Sequence, residues 1–132
     1  MVKLAHAGAT VTGVDFAQEM VRVARTRASD AGLPMDIRVD DCSALTTVES
    51  ESVDIVVSNY VLMDLPDLDG ATKAFSRVLR PGGHAVVAFL HPCFDVPGGP
   101  QRPEEGVTVY RWPWSYFDDR EMREDWGPFT SP

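Results

Sequence analysis

Apolar positions along this chain follow two alternating rhythms. Short β-branched runs give way to longer segments with a single apolar stripe, and the alternation continues to residue 90. Residues 2–7 read as the last turns of a helix, closed by Gly8. The run Val11-Thr12-Gly13-Val14-Asp15 predicts a strand over 10–15 whose last residue is a carboxylate. A helix over 17–31 follows, with Met20, Ala24, Ala28 and Ala31 on one face and Gly32 as its stop. A short alternating strand over 35–39 leads into Asp40-Asp41-Cys42, again with acid at its carboxyl end. The nearly continuous apolar run over 53–59 predicts a strand covered on both faces. A helix over 67–79 sets Leu68, Ala71, Phe75 and Val78 at helical spacing. Pro81-Gly82-Gly83 predicts a turn, because proline pre-sets φ and glycine accepts positive φ. A last strand over 84–90 completes the series.

Strands alternating with helices and no hairpin signal predict an α/β fold with a doubly wound, mainly parallel sheet. The 132 residues suit one domain. Residues 1–91 form its core in this reading, and 92–132 a loop and an aromatic tail. The stretch 92–106 is rich in proline and glycine and reads as a long loop. Residues 107–132 carry all three tryptophans and suit either a lid or substrate wall, or aromatics packed back onto the sheet.

Composition then narrows the function classes. Acids outnumber bases 20 to 12, for a formal charge of −8, so a nucleic-acid partner is not expected. No apolar run approaches the roughly 20 residues of a membrane span, and the opening residues are not a signal peptide. The expected setting is therefore the reducing cytoplasm, with no membrane partner. The two cysteines and three histidines lack ligand spacing, so no metal is expected.

Three positions at strand ends carry candidate chemistry. Asp15 stands where open α/β sheets hold the vicinal hydroxyls of a ribose. Asn59 ends the central apolar run, where the plainer account is an Asx-turn. His91 ends the last strand and is the candidate catalytic residue, since imidazole takes up a proton near neutral pH. The plainer account of His91-Pro92 is a strand-to-loop corner.

Four blocks in order resemble a class I S-adenosylmethionine-dependent methyltransferase. Gly13-Val14-Asp15-Phe16-Ala17, with Met20 and Ala24, is similar to the strand and helix after the family's first motif. Val39-Asp40-Asp41-Cys42, with Leu45, resembles the acidic block that contacts adenine. The run from Ser52 to Asn59, with Leu62, looks like the motif IV strand, and Leu79-Arg80-Pro81-Gly82-Gly83 like the turn into the fifth strand. The resemblance implies S-adenosylmethionine as cofactor and a small molecule as methyl acceptor. It implies that Asp15 holds the ribose, with Phe16 against the adenine edge or ribose. Asp41 would accept from the exocyclic amine, the Cys42 amide would donate to a ring nitrogen, and Asn59 would face the methionine portion. The acceptor atom (oxygen, nitrogen or carbon) and the oligomeric state are not written in these blocks.

The chain departs from the family's pattern in having no Gly-x-Gly-x-Gly loop and no strand to carry one, nor a closing antiparallel pair after residue 107. The expected fold is thus Rossmann-like and incomplete at both ends. Two inner strand edges would be unpaired, and cofactor binding by this polypeptide alone would be weak or absent. The competing accounts are a non-catalytic Rossmann-like module and an NAD(P)-dependent oxidoreductase. The second should show a glycine fingerprint and a Tyr-x-x-x-Lys pair, and this chain has neither.

Overall fold

The structure is a computed structural model that describes residues 1–91 and the backbone of 101–104 and 107–109. It divides into two units, Met1–Phe89 and Leu90–Pro132. In the first, α1 (Val2–His6), β1 (Thr12–Asp15), α2 (Gln18–Asp30) and β2 (Asp36–Val39) come first. They are followed by β3 (Val53–Asn59), a 3-10 turn (Leu62–Asp64), α3 (Leu68–Val78) and β4 (Leu79–Ala88). The second unit contains β5 (Gln101–Glu104) and β6 (Val107–Val109).

Each strand pair of the first unit is parallel. β1 pairs with β2 from Thr12↔Asp36 to Asp15↔Val39, and β3 with β4 from Val53↔Leu79 to Asn59↔Ala88. Helices and parallel strands alternate as a doubly wound α/β fold requires. The sheet, however, is not continuous: β1–β2 and β3–β4 are separate two-stranded ribbons. β1 and β3 each keep one edge unpaired among the described residues, as the absence of a central strand predicts.

A shared core nevertheless joins the ribbons. Leu45, Ala74, Phe75 and Val78 form one buried cluster, and Val14 of β1 packs on it together with Val53 and Val56 of β3. A second cluster, Val21, Ala28 and Ile37, seats α2 on the first ribbon.

Two apolar faces differ from their predicted lines. On α2 the inward column is Val21, Ala24 and Ala28, while Met20 is 57% exposed and Ala31 lies outside the helix. Ala24 and Ala28 keep their predicted inward places, and Val21, at i, i+3, i+7 spacing with them, takes the place of Met20, which lies about 100° round the helix from it. On α3, Ala71, Ala74, Phe75 and Val78 are buried and Leu68 is half exposed. Asp67 stands outside that helix as its cap, its carboxylate accepting the Gly70 amide at 2.8 Å.

The continuous apolar run of β3 is covered on one face only. Val56 and Ser58 turn inward, whereas Ile55 and Val57 remain 59% and 54% exposed, because no layer covers them among the described residues. The predicted turn at Pro81-Gly82-Gly83 lies inside β4, where the register slips between the pairs Val53↔Leu79 and Ile55↔His84. Gly82 sits there at φ +82°, so the turn becomes a bulge within a strand that starts directly after α3. β5 and β6 pair antiparallel within the stretch read as loop and at the start of the tail. The strand Gln101–Glu104 departs from the reading of 92–106 as loop, while the expectation of no closing antiparallel pair after residue 107 falls almost wholly outside the described residues. The register of the β5–β6 pair slips across the segment holding Pro103, which has no amide hydrogen to give. The remaining aromatic tail lies outside the described residues.

Candidate functional site

The carboxyl ends of β1 and β2 lie side by side. The parallel ladder runs one step past Val39, with the Asp40 amide donating to the Asp15 carbonyl at 3.1 Å. Two acid-bearing chain ends are thereby brought together from positions 25 residues apart in sequence.

Asp15 is half-buried, and its Oδ1 accepts from the Ala17 amide at 2.9 Å. This is the turn role expected of an aspartate before a helix. Oδ2 has no hydrogen-bond partner among the described residues. Asp41 repeats the pattern: Oδ1 accepts from the Ser43 amide at 2.7 Å, and the exposed side chain keeps Oδ2 open. Phe16 follows Asp15 and is 75% exposed.

Asp40 is built differently. It is 8% exposed. Oδ1 accepts from the Asp41 amide at 2.8 Å and the Thr46 hydroxyl at 2.9 Å. Oδ2 accepts from the Thr47 amide at 2.6 Å and the Thr47 hydroxyl at 2.8 Å. Burial alone would raise this carboxyl, but those donors outweigh it and hold the pKa at about 2.

Cys42 is half-buried between these acids. Its thiol is pushed up first by burial and then by the negative charges of Asp15, Asp41 and Asp40, so it is a poor nucleophile at neutral pH. Its backbone amide bonds to its own thiol and donates to no other residue among those described. The group therefore offers two open anionic acceptors and one amide bonded to no other residue.

Asn59 ends β3 on the other ribbon. It is exposed and shares no hydrogen bond with the Asp15–Cys42 group. The next residue, Tyr60, has a left-handed backbone at φ +58°, held by its amide donating to the Ala88 carbonyl at 2.8 Å. Ser58 is buried, and its hydroxyl has no hydrogen-bond partner among the described residues. His91 is exposed and belongs to the second unit. A cavity of about 400 Å³ opens between α1, β1 and α2, but of the candidate residues only Asp15 lines it. The Asp15–Cys42 group is thus an open edge rather than a closed pocket. No cluster of metal-ligating side chains occurs among the described residues, and no helix there is long and apolar enough to cross a membrane.

Neither the left-handed backbone of Tyr60 nor the saturated carboxylate of Asp40 is an expectation of the sequence pattern. For Asp40 a signal existed: Thr46 and Thr47 place hydroxyl donors within one loop of a doubled aspartate. For Tyr60 there was none, because a tyrosine seldom adopts positive φ.

A family profile described as a methyltransferase domain matches residues 1–87. A ubiquinone biosynthesis O-methyltransferase of Ralstonia nicotianae is 32% identical over 88 residues, covering 67% of this chain and 37% of that protein. The chain thus spans little more than a third of the length of this curated relative. Among solved structures, the PH0226 protein from Pyrococcus horikoshii superposes with a TM-score of 0.63 at 28% identity, over 67% of this chain and 39% of that one. The [4+2]-cyclase SpnF gives 0.62 at 26% identity, over 65% and 33%.

Proposed function

The chain belongs to the methyltransferase domain family, and from that premise we propose that it forms the adenosine-holding part of an enzyme transferring a methyl group from S-adenosylmethionine to a small-molecule acceptor. One observation carries this: on neighbouring strand ends, Asp15 and Asp41 each commit one oxygen to a local turn and leave the other open, next in sequence to a Cys42 amide that donates to no other residue among those described. That set complements an adenosine, whose ribose hydroxyls and exocyclic amine donate while its ring nitrogens accept.

The roles follow from the atoms. Oδ2 of Asp15 takes the ribose hydroxyls and Phe16 lies against the ribose or adenine edge. Oδ2 of Asp41 takes the exocyclic amine, and the Cys42 amide donates to a ring nitrogen. Asn59, at the end of β3, orients the methionine portion. When bound, S-adenosylmethionine supplies a methyl group on a sulfonium sulfur, an arrangement that already leaves readily. Much of the chain's contribution is then positioning. The name of the Ralstonia relative points to an oxygen acceptor, while SpnF carries a similar fold under a cyclase's name. Fold alone therefore does not choose the acceptor.

Calorimetric titration of the purified chain with S-adenosylmethionine and separately with NAD tests the proposal. Heat is expected with the sulfonium compound only. Asp15→Asn should weaken binding at least tenfold, about 1.4 kcal/mol, because one charged acceptor is lost. Heat with NAD alone overturns the proposal in favour of an oxidoreductase, and heat with neither favours a non-catalytic module or a site that the unpaired strand edges leave too weak to fill.

A further inference from the structure

Asp41 and Cys42 sit on a loop, Asp40 to Ser52, that has no regular structure to hold it. It is nonetheless closely determined from two sides. From the β2 end, both oxygens of Asp40 are saturated by donors at positions 41, 46 and 47, so this one carboxylate ties the start of the loop to its middle. From the α3 side, the Arg77 guanidinium donates to the carbonyls of Leu45 at 2.7 Å, Val48 at 2.9 Å and Ala44 at 3.2 Å, and to the Ser50 hydroxyl at 3.3 Å. Arg38 adds a bond to the Thr47 carbonyl. Between these ties Leu45 is held at φ +49°, buried at 7% exposure. A branched side chain occupies that conformation only where its surroundings over-determine it.

The two neighbouring aspartates therefore divide the labour. Asp41 is exposed with one open oxygen. Asp40 is buried with none, and it bonds the very amide that begins Asp41. We infer that Asp40 is a positioning residue: it presents no atom to a ligand, but fixes the backbone so that the open oxygen of Asp41 and the Cys42 amide face one adenine edge together. The adenine part of this inference rests on the proposed function. The loop-fixing part stands on geometry alone.

Two measurements separate these parts. The first is amide hydrogen exchange of the unliganded chain. Asp40→Asn places a side-chain donor among the Thr46 and Thr47 donors. It should speed exchange at the Ser43, Leu45 and Thr47 amides at least tenfold and leave Val21–Ala28 of α2 unchanged. Thr47→Val, which removes only the hydroxyl donor, should give a smaller change at the same amides and guards against a variant that fails to fold. Unaltered exchange at 43–47 in both variants overturns the inference.

The second is the ratio of dissociation constants for S-adenosylhomocysteine and its inosine analogue, in which an acceptor oxygen replaces the exocyclic amine. The wild-type chain should favour adenine at least tenfold, and Asp40→Asn should bring the ratio below about three. A general loss of stability would weaken both ligands alike and leave the ratio standing. A ratio that stays at the wild-type value in Asp40→Asn overturns the positioning role. If the wild-type chain binds neither compound, the adenosine site itself is wrong, and the exchange measurement still decides whether Asp40 fixes the loop.

Discussion

The two parallel ribbons of the first unit have similar topology and unequal cover. In β1–β2, α2 closes one face with Val21 and Ala28 on Ile37, all under 5% exposed. In β3–β4 the sequence is far more apolar, yet Ile55, Val57 and Val86 are each more than half exposed. α3 covers a single face there, through Ala74, Phe75 and Val78. Burial is a property of what packs across a strand, and a strand's own hydrophobicity does not supply a partner. The ends of the ribbons differ as well. The first leads into a loop fastened by Asp40 and Arg77, and the second into Asn59 and a left-handed Tyr60.

The sharpest way to break this contrast is on the second ribbon itself. Phe75→Ala should cost about 3–5 kcal/mol, since it empties the centre of the shared cluster. Ile55→Ala, on the open face of the same ribbon, should change stability by less than about 0.5 kcal/mol. Urea denaturation of both variants gives the comparison. Equal losses would mean that the open face is covered after all.

Acid sharpens the contrast between the strand ends. Because folding depresses the pKa of Asp40 from an ordinary 3.8 to about 2, its contribution is present above pH 4 and is lost as the pH falls toward 2. The loss should amount to about 1–2 kcal/mol. Urea midpoints measured from pH 6 to pH 2 should fall less steeply in Asp40→Asn than in the wild type. Parallel curves would remove Asp40 from the account of acid sensitivity.

A smaller loss than at Phe75 or Asp40 concerns the bulge in β4. Gly82→Ala forces a side chain onto φ +82° with nothing crowding the site, so only backbone strain is felt. A loss of about 1 kcal/mol is expected in the same denaturation measurement, and none if the bulge relaxes.

Much of the fold was legible because its signals are local. The strand at 53–59 was read to the residue, and Asp15 and Asp41 were picked out as acids at strand ends from runs of five or six positions. What escaped was relational. Met20 and Val21 are neighbours on α2, and only the ribbon beneath decides which faces inward. Asp40 and Asp41 are chemically identical, and only the arrival of Thr46 and Thr47 makes one internal and the other open.

The sequence by itself determined the order of helices and strands and the acids that end β1 and β2. β-branched runs, helical spacing and capping residues act over a few positions and need no distant partner. Only the tertiary structure decided that an apolar strand keeps an open face and which oxygens remain free for a ligand. Those outcomes depend on which surfaces meet across the chain, and a side chain's own identity does not specify its neighbour.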